Sequence, residues 1–130
     1  VELFHGYTYS AHPLACAAGL ATLGVYREEK LFERAAALEP TFADAAMSLK
    51  GLPNVLDVRT VGLAAGIDLA PSPDGVGKRG FAAMEQGFYK EDAIIRCSGD
   101  TIALTPPLIV SAAEIEDIFA RVARVIRAVA

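Results

Sequence analysis

The feature that most restricts what this chain can fold into is the run PLACAAGLATLGVY, residues 13 to 26, which carries no charged side chain. Its residues favour a helix, yet a helix that is apolar all round has no face to give to water and must be covered all round. Its alanines and glycines invite close approach by a neighbouring backbone. A chain of 130 residues suggests one domain and has little material to wrap such a helix on every side. At 13 to 26 the run is too short to cross a bilayer. The helix is therefore expected to meet neighbours that this chain does not supply. The first residue is Val1 and not a methionine, which suits a piece of something longer.

Ahead of it stands HGYTYSA, residues 5 to 11. Ser10 is the expected N-cap, with Pro13 tolerated in the first turn. Unpaired N–H groups and the positive dipole end at a helix start favour an anion. A phosphate or carboxylate held by Thr8 and nearby amides is one reading, and simple capping is the other. His5 and His12 read as polar loop residues rather than as acid–base groups.

Further along, Leu31, Ala35, Leu38, Phe42, Ala45 and Leu49 recur at helical spacing between Glu29 and Lys50, and Pro40 should kink or split that helix. Val55–Val61 and 62–70 read as paired strands around a turn at Gly62. A third helix is predicted over 77–90, with Phe81, Met84, Phe88 and Tyr89 facing inward. Two short strands, 93–97 and 101–105, flank Ser98-Gly99-Asp100. The last helix is the best specified. Ser111 and Glu114 form a capping box, Ile115, Ile118, Phe119, Val122, Val125, Ile126 and Val129 form one apolar stripe, and Arg121, Arg124 and Arg127 lie late, where the dipole favours them. The order of elements predicts an α+β fold: a small, mostly antiparallel sheet covered by helices on one face, preceded by an apolar connecting helix.

The net charge of −4 is spread over interspersed acids and bases, which leaves no basic stripe for nucleic acid. A hydrophobic fraction of 53% supports a real core. Cys16 and Cys97 are expected to be reduced and buried in an intracellular, cytoplasmic protein, and no spacing suits a metal. Arg96 is the conspicuous charge. It interrupts the apolar run Ile94-Ile95-Arg96-Cys97, where it needs an external anion, an internal partner in Asp92 or Asp100, or an open edge of the sheet. Lys30, Lys50, Lys78 and Lys90 all lie among polar neighbours, so none is set up for covalent chemistry.

HGYTYSAHPLACAAGLATL and IIRCSGDTIALTPPLIVSAAEIEDIF together resemble the C-terminal part of class III aminotransferases of the ω-amino acid:pyruvate type. These are pyridoxal-phosphate enzymes of fold type I. The resemblance covers nearly the whole chain. It implies that Thr8, with the backbone N–H of Tyr7, contacts cofactor phosphate in the active site of a partner subunit, and that Arg96 binds the substrate carboxylate. It implies ping-pong transfer of an amino group from an ω-amino acid or amine to pyruvate or a similar keto acid. It also implies a homodimer or higher homo-oligomer, with no nucleic acid or membrane partner. The family's Schiff-base lysine lies upstream of the GYT segment, so the fragment alone is expected to be inactive and not to retain pyridoxal phosphate. On this reading 1–12 is a loop from the cofactor-phosphate region, 13–27 an interdomain connecting helix and 28–130 the C-terminal small domain. The rival is a non-catalytic α+β anion-binding or oligomerisation module, which needs neither lysine nor cofactor.

Overall fold

The computed structural model describes residues 6–130, so His5 lies outside the described residues. The chain divides into two compact units, Val1–Phe32 and Glu33–Ala130. Its elements are the helices α1 (Pro13–Glu28), α2 (Leu31–Met47), α3 (Lys78–Lys90) and α4 (Ala112–Ala128), and the strands β1 (Val55–Val61), β2 (Ala64–Leu69), β3 (Arg96–Ser98) and β4 (Thr101–Leu104). Among the described residues no helix is long and apolar enough to cross a membrane.

In the first unit, α1 starts at Pro13, two residues later than a Ser10 cap would place it, and its N-cap is His12, whose side chain makes no capping bond. Proline explains the shift. The residue before a proline is pushed out of the helical region, and His12 is extended at φ −56° and ψ 123°. Ser10 lies in the preceding turn, where its N–H donates to the Tyr7 carbonyl at 3.0 Å. None of the residues of α1 is buried. Leu14, Leu20 and Leu23 remain 75%, 71% and 57% exposed, and Cys16 is exposed too, against the expectation of a buried thiol.

The second unit is the α+β body. Its sheet is antiparallel throughout, in the order β1-β2-β4-β3. Both hairpins turn through two residues with a glycine first, Gly62 at φ +54° and Gly99 at φ +58°. A side chain there would meet the left-handed penalty that glycine escapes. Val58, Ile67, Ile102 and Cys97 share one register row on the core face, and the alternate row, Arg59, Gly66, Ala103 and Arg96, faces away from it. On that outer face Asp68 accepts from Arg59 at 2.5 and 3.1 Å and from the Thr101 hydroxyl at 2.7 Å. The Arg59 bond, then that of Thr101, holds the Asp68 carboxyl below its ordinary range.

The helices close the core face. Phe42 and Ala46 come from α2, Leu49 from the turn after it, and Ile115, Phe119, Val122, Val125 and Ile126 from α4. The capping box at the start of α4 forms as predicted: the Glu114 N–H donates to the Ser111 hydroxyl and the Ser111 N–H to the Glu114 carboxylate at 2.8 Å. Pro40 sits inside α2 without splitting it. Proline removes the N–H that would serve the carbonyl four residues earlier. Ala36 holds that position and is exposed, so water can take over.

Helix α3 turns the opposite way from the sequence expectation. Its buried residues are Arg79, Gly80, Ala83 and Gly87. Phe81, Phe88 and Tyr89 are 55%, 56% and 71% exposed, and Met84 is only partly buried. The helix lies so close to the β3–β4 hairpin that small residues must face it and large rings cannot. Arg79 is carried inward on the same face. Its guanidinium donates to the Ala70 carbonyl at 2.8 Å and to the Val129 carbonyl, so the buried charge has backbone partners.

Candidate functional site

Arg96 opens β3, the outermost strand of the sheet, on the face away from the core. Neither internal partner holds it. Among the described residues its guanidinium makes no hydrogen bond or ion pair, and it is exposed. Of the alternatives open from the sequence, the internal pair is absent, and the exposed edge-strand position leaves the guanidinium accessible to an external anion. Asp100, a candidate partner, is engaged elsewhere. Its carboxylate accepts from the Gly77 N–H at 2.6 Å and the Gly80 N–H at 2.9 Å, and so caps α3 from a distance in sequence. The Gly77 bond, then that of Gly80, holds the Asp100 carboxyl below its ordinary range. This role was missed from sequence. The only signal was an aspartate directly after a turn glycine, and nothing local ties it to a helix that begins 22 residues earlier.

Arg96 lies at the rim of a groove of about 630 Å³ between the β3 edge and α4. Ile94, Ile95, Pro106, Pro107 and Ile118 give it apolar walls. A second arginine in the groove, Arg121, is committed to Asp117 at 2.7 Å and to the Glu91 carbonyl at 2.5 Å. Arg96 is thus the groove's free cation among the described residues. A guanidinium with an open fork beside apolar walls suits a small carboxylate carrying a short carbon chain. Beside it, Cys97 is half-buried, and its thiol is pushed up to about 11 by burial and then by the charge of Asp100, which makes it a poor nucleophile.

Tyr7 and Thr8 belong to the first unit. Both are exposed in the turn before α1, and the Thr8 hydroxyl has no partner among the described residues. Thr8 stands four residues before the His12 N-cap, so its hydroxyl is offered by the turn and not by the helix start itself. His12 serves as the backbone N-cap of α1. All four lysines are exposed, and Glu114 serves as a cap. Thr8 and Tyr7 therefore fall in one unit and Arg96 in the other.

This arrangement can be set against known proteins. The family model for aminotransferase class-III matches residues 1–126. The chain belongs to the class-III aminotransferase family. It is 52% identical over 126 residues to the omega-aminotransferase of Caulobacter vibrioides, a match that covers 97% of this chain and 28% of that protein. It is 39% identical over 134 residues to the beta-alanine–pyruvate aminotransferase of Pseudomonas aeruginosa, covering all of this chain and 29% of that one. The omega transaminase of Pseudomonas jessenii, solved in complex with PMP, superposes with a TM-score of 0.86 at 32% identity, over 96% of this chain and 29% of its own. The chain thus spans under a third of the length of these relatives.

Proposed function

We propose that this chain is the C-terminal part of a longer, cytoplasmic, pyridoxal-phosphate-dependent aminotransferase. The enzyme moves an amino group from an ω-amino acid or amine to pyruvate or a similar keto acid. The observation that carries this reading is the free Arg96 guanidinium on the apolar groove. Every substrate of that class except a simple amine bears a carboxylate, and a forked cation is the natural reader for it.

The residues present fit part of the cofactor's needs. Thr8 and the Tyr7 N–H form a donor pair for its phosphate, in the active site of a partner subunit. The exposed lysines do not fit a covalent role, since a lysine that attacks a carbonyl at neutral pH needs desolvation or a neighbouring cation to lower its pKa. That lysine would come from the rest of the protein, and the chain alone would be inactive. When bound, pyridoxal phosphate supplies the electron sink for the reaction. Within this division of labour 1–12 is the cofactor-phosphate loop, 13–27 the connecting helix and 28–130 the small domain.

The test is the full-length protein, assayed for transamination to pyruvate, with Thr8→Ala beside the wild type. Losing a hydrogen bond to a charged group costs about 1.5–3 kcal/mol. The dissociation constant for pyridoxal phosphate is therefore expected to rise about tenfold or more. Unchanged cofactor retention rejects the role of Thr8, and absence of any transaminase activity in the wild type rejects the reading.

The enzyme would work as a homodimer or larger. An exposed apolar helix is a contact surface, so the 130-residue chain by itself is expected to self-associate through Leu14, Leu20 and Leu23. Sedimentation should show a dimer or more, with the double substitution Leu20→Lys and Leu23→Lys shifting it to monomer. A wild-type monomer in dilute solution contradicts this.

A further inference from the structure

Strand β3 is three residues long and lies at the sheet edge, so its ladder bonds alone fix Arg96 weakly. Helix α3 supplies further contacts on both sides of it. Before Arg96, the Ala93 N–H donates to the Gly87 carbonyl at 2.9 Å, and a Cβ at Gly87 would stand 2.9 Å from the Ala93 oxygen and 3.2 Å from Ile95. After Arg96, Asp100 binds the amides of Gly77 and Gly80, and a Cβ at Gly80 would stand 2.0 Å from the Gly99 oxygen. Glycine is disfavoured inside a helix relative to alanine. Helix α3 nevertheless carries two, seven residues apart on one face, each seated against backbone of the 93–100 segment.

We propose that Gly80, Gly87 and Asp100 are positioning residues for Arg96. By clamping the 93–100 segment at both ends, α3 sets where the guanidinium stands over the groove. This rests on the reading of Arg96 as the group that binds the substrate carboxylate. None of the three lines the groove that holds Arg96. They act by holding the strand, and a shift of about 1 Å in a binding group is enough to weaken a directional contact. At Gly80 the obstructing atom is a backbone oxygen, so an added methyl must move the turn and cannot be absorbed by a flexible side chain.

The experiment uses the full-length aminotransferase with Gly80→Ala, Asp100→Asn, Arg96→Ala and, as a stability control in the core of α2, Phe42→Leu. KM is measured for a keto acid and for an amine donor that has no carboxylate. In Gly80→Ala and Asp100→Asn the keto-acid KM is expected to rise at least fivefold, with the amine KM within twofold of wild type. Phe42→Leu should lower Tm while moving neither KM. Should Gly80→Ala fail to fold, Asp100→Asn decides. If Arg96→Ala raises the keto-acid KM and the clamp variants do not, the positioning role is overturned and the substrate reading stands. If the clamp variants move both KM values alike, their role is only structural and the proposal is likewise overturned. If Arg96→Ala itself leaves the keto-acid KM unchanged, both fall together.

Discussion

Phe42→Ala is expected to cost the second unit about 3–5 kcal/mol, the usual price of deleting a fully enclosed phenyl ring. Phe42 is 0% exposed, and its ring meets that of Phe119 edge-on, with centroids 5.0 Å apart and planes at 73°. The cavity would open between α2 and α4, where the Phe42 ring meets Phe119. Domains of this size are stable by about 5–15 kcal/mol, so the loss removes a large part of the total. In a urea titration the midpoint should fall by about 2 M with little change in slope. Phe88→Ala is the matched comparison. Its ring is 56% exposed and meets that of Tyr89 edge-on, so its cost should stay below about 1 kcal/mol. Equal losses at the two positions would show that the orientation of α3 is wrong.

That pair of rings marks where the sequence was and was not legible. Helix α4 could be read in full because its determinants are local: a serine and a glutamate three apart, a stripe at one period, and arginines in the later turns. The glycine turns of the two hairpins were equally open, but strand β3 is only Arg96–Ser98, where 93–97 was expected, because 93–95 lie outside the ladder with β4. Helix α3 was not legible, because aromatic rings dominate any periodic reading. The small side is buried because of a carboxylate at Asp100 and a carbonyl at Gly99, both distant in sequence from the helix start. At α1 two local signals competed, and the steric effect of Pro13 on His12 overrode the hydroxyl of Ser10. For the candidate site, the oddity of Arg96 was visible as a charge within an apolar run. That Asp100 would be occupied elsewhere, leaving Arg96 free, required the fold. Thr8 and Tyr7 owe their assignment to the family resemblance more than to any pattern of their own, because a polar turn before a helix is common.

The central claim is that Arg96 reads a carboxylate for an aminotransferase, and kinetics of Arg96→Ala in the full-length enzyme test it most directly. Removing one partner of a hydrogen-bonded charge pair costs about 2–5 kcal/mol, and each 1.4 kcal/mol is about a factor of ten. KM for the keto acid should rise about 100-fold. Arg96→Lys should recover only part of that, since an ammonium is a point charge without the planar fork. An amine donor lacking a carboxylate should lose less than about threefold, because it has nothing for the guanidinium to bind. A keto-acid KM that Arg96→Ala leaves where it was, in an enzyme that still transaminates, would contradict the account.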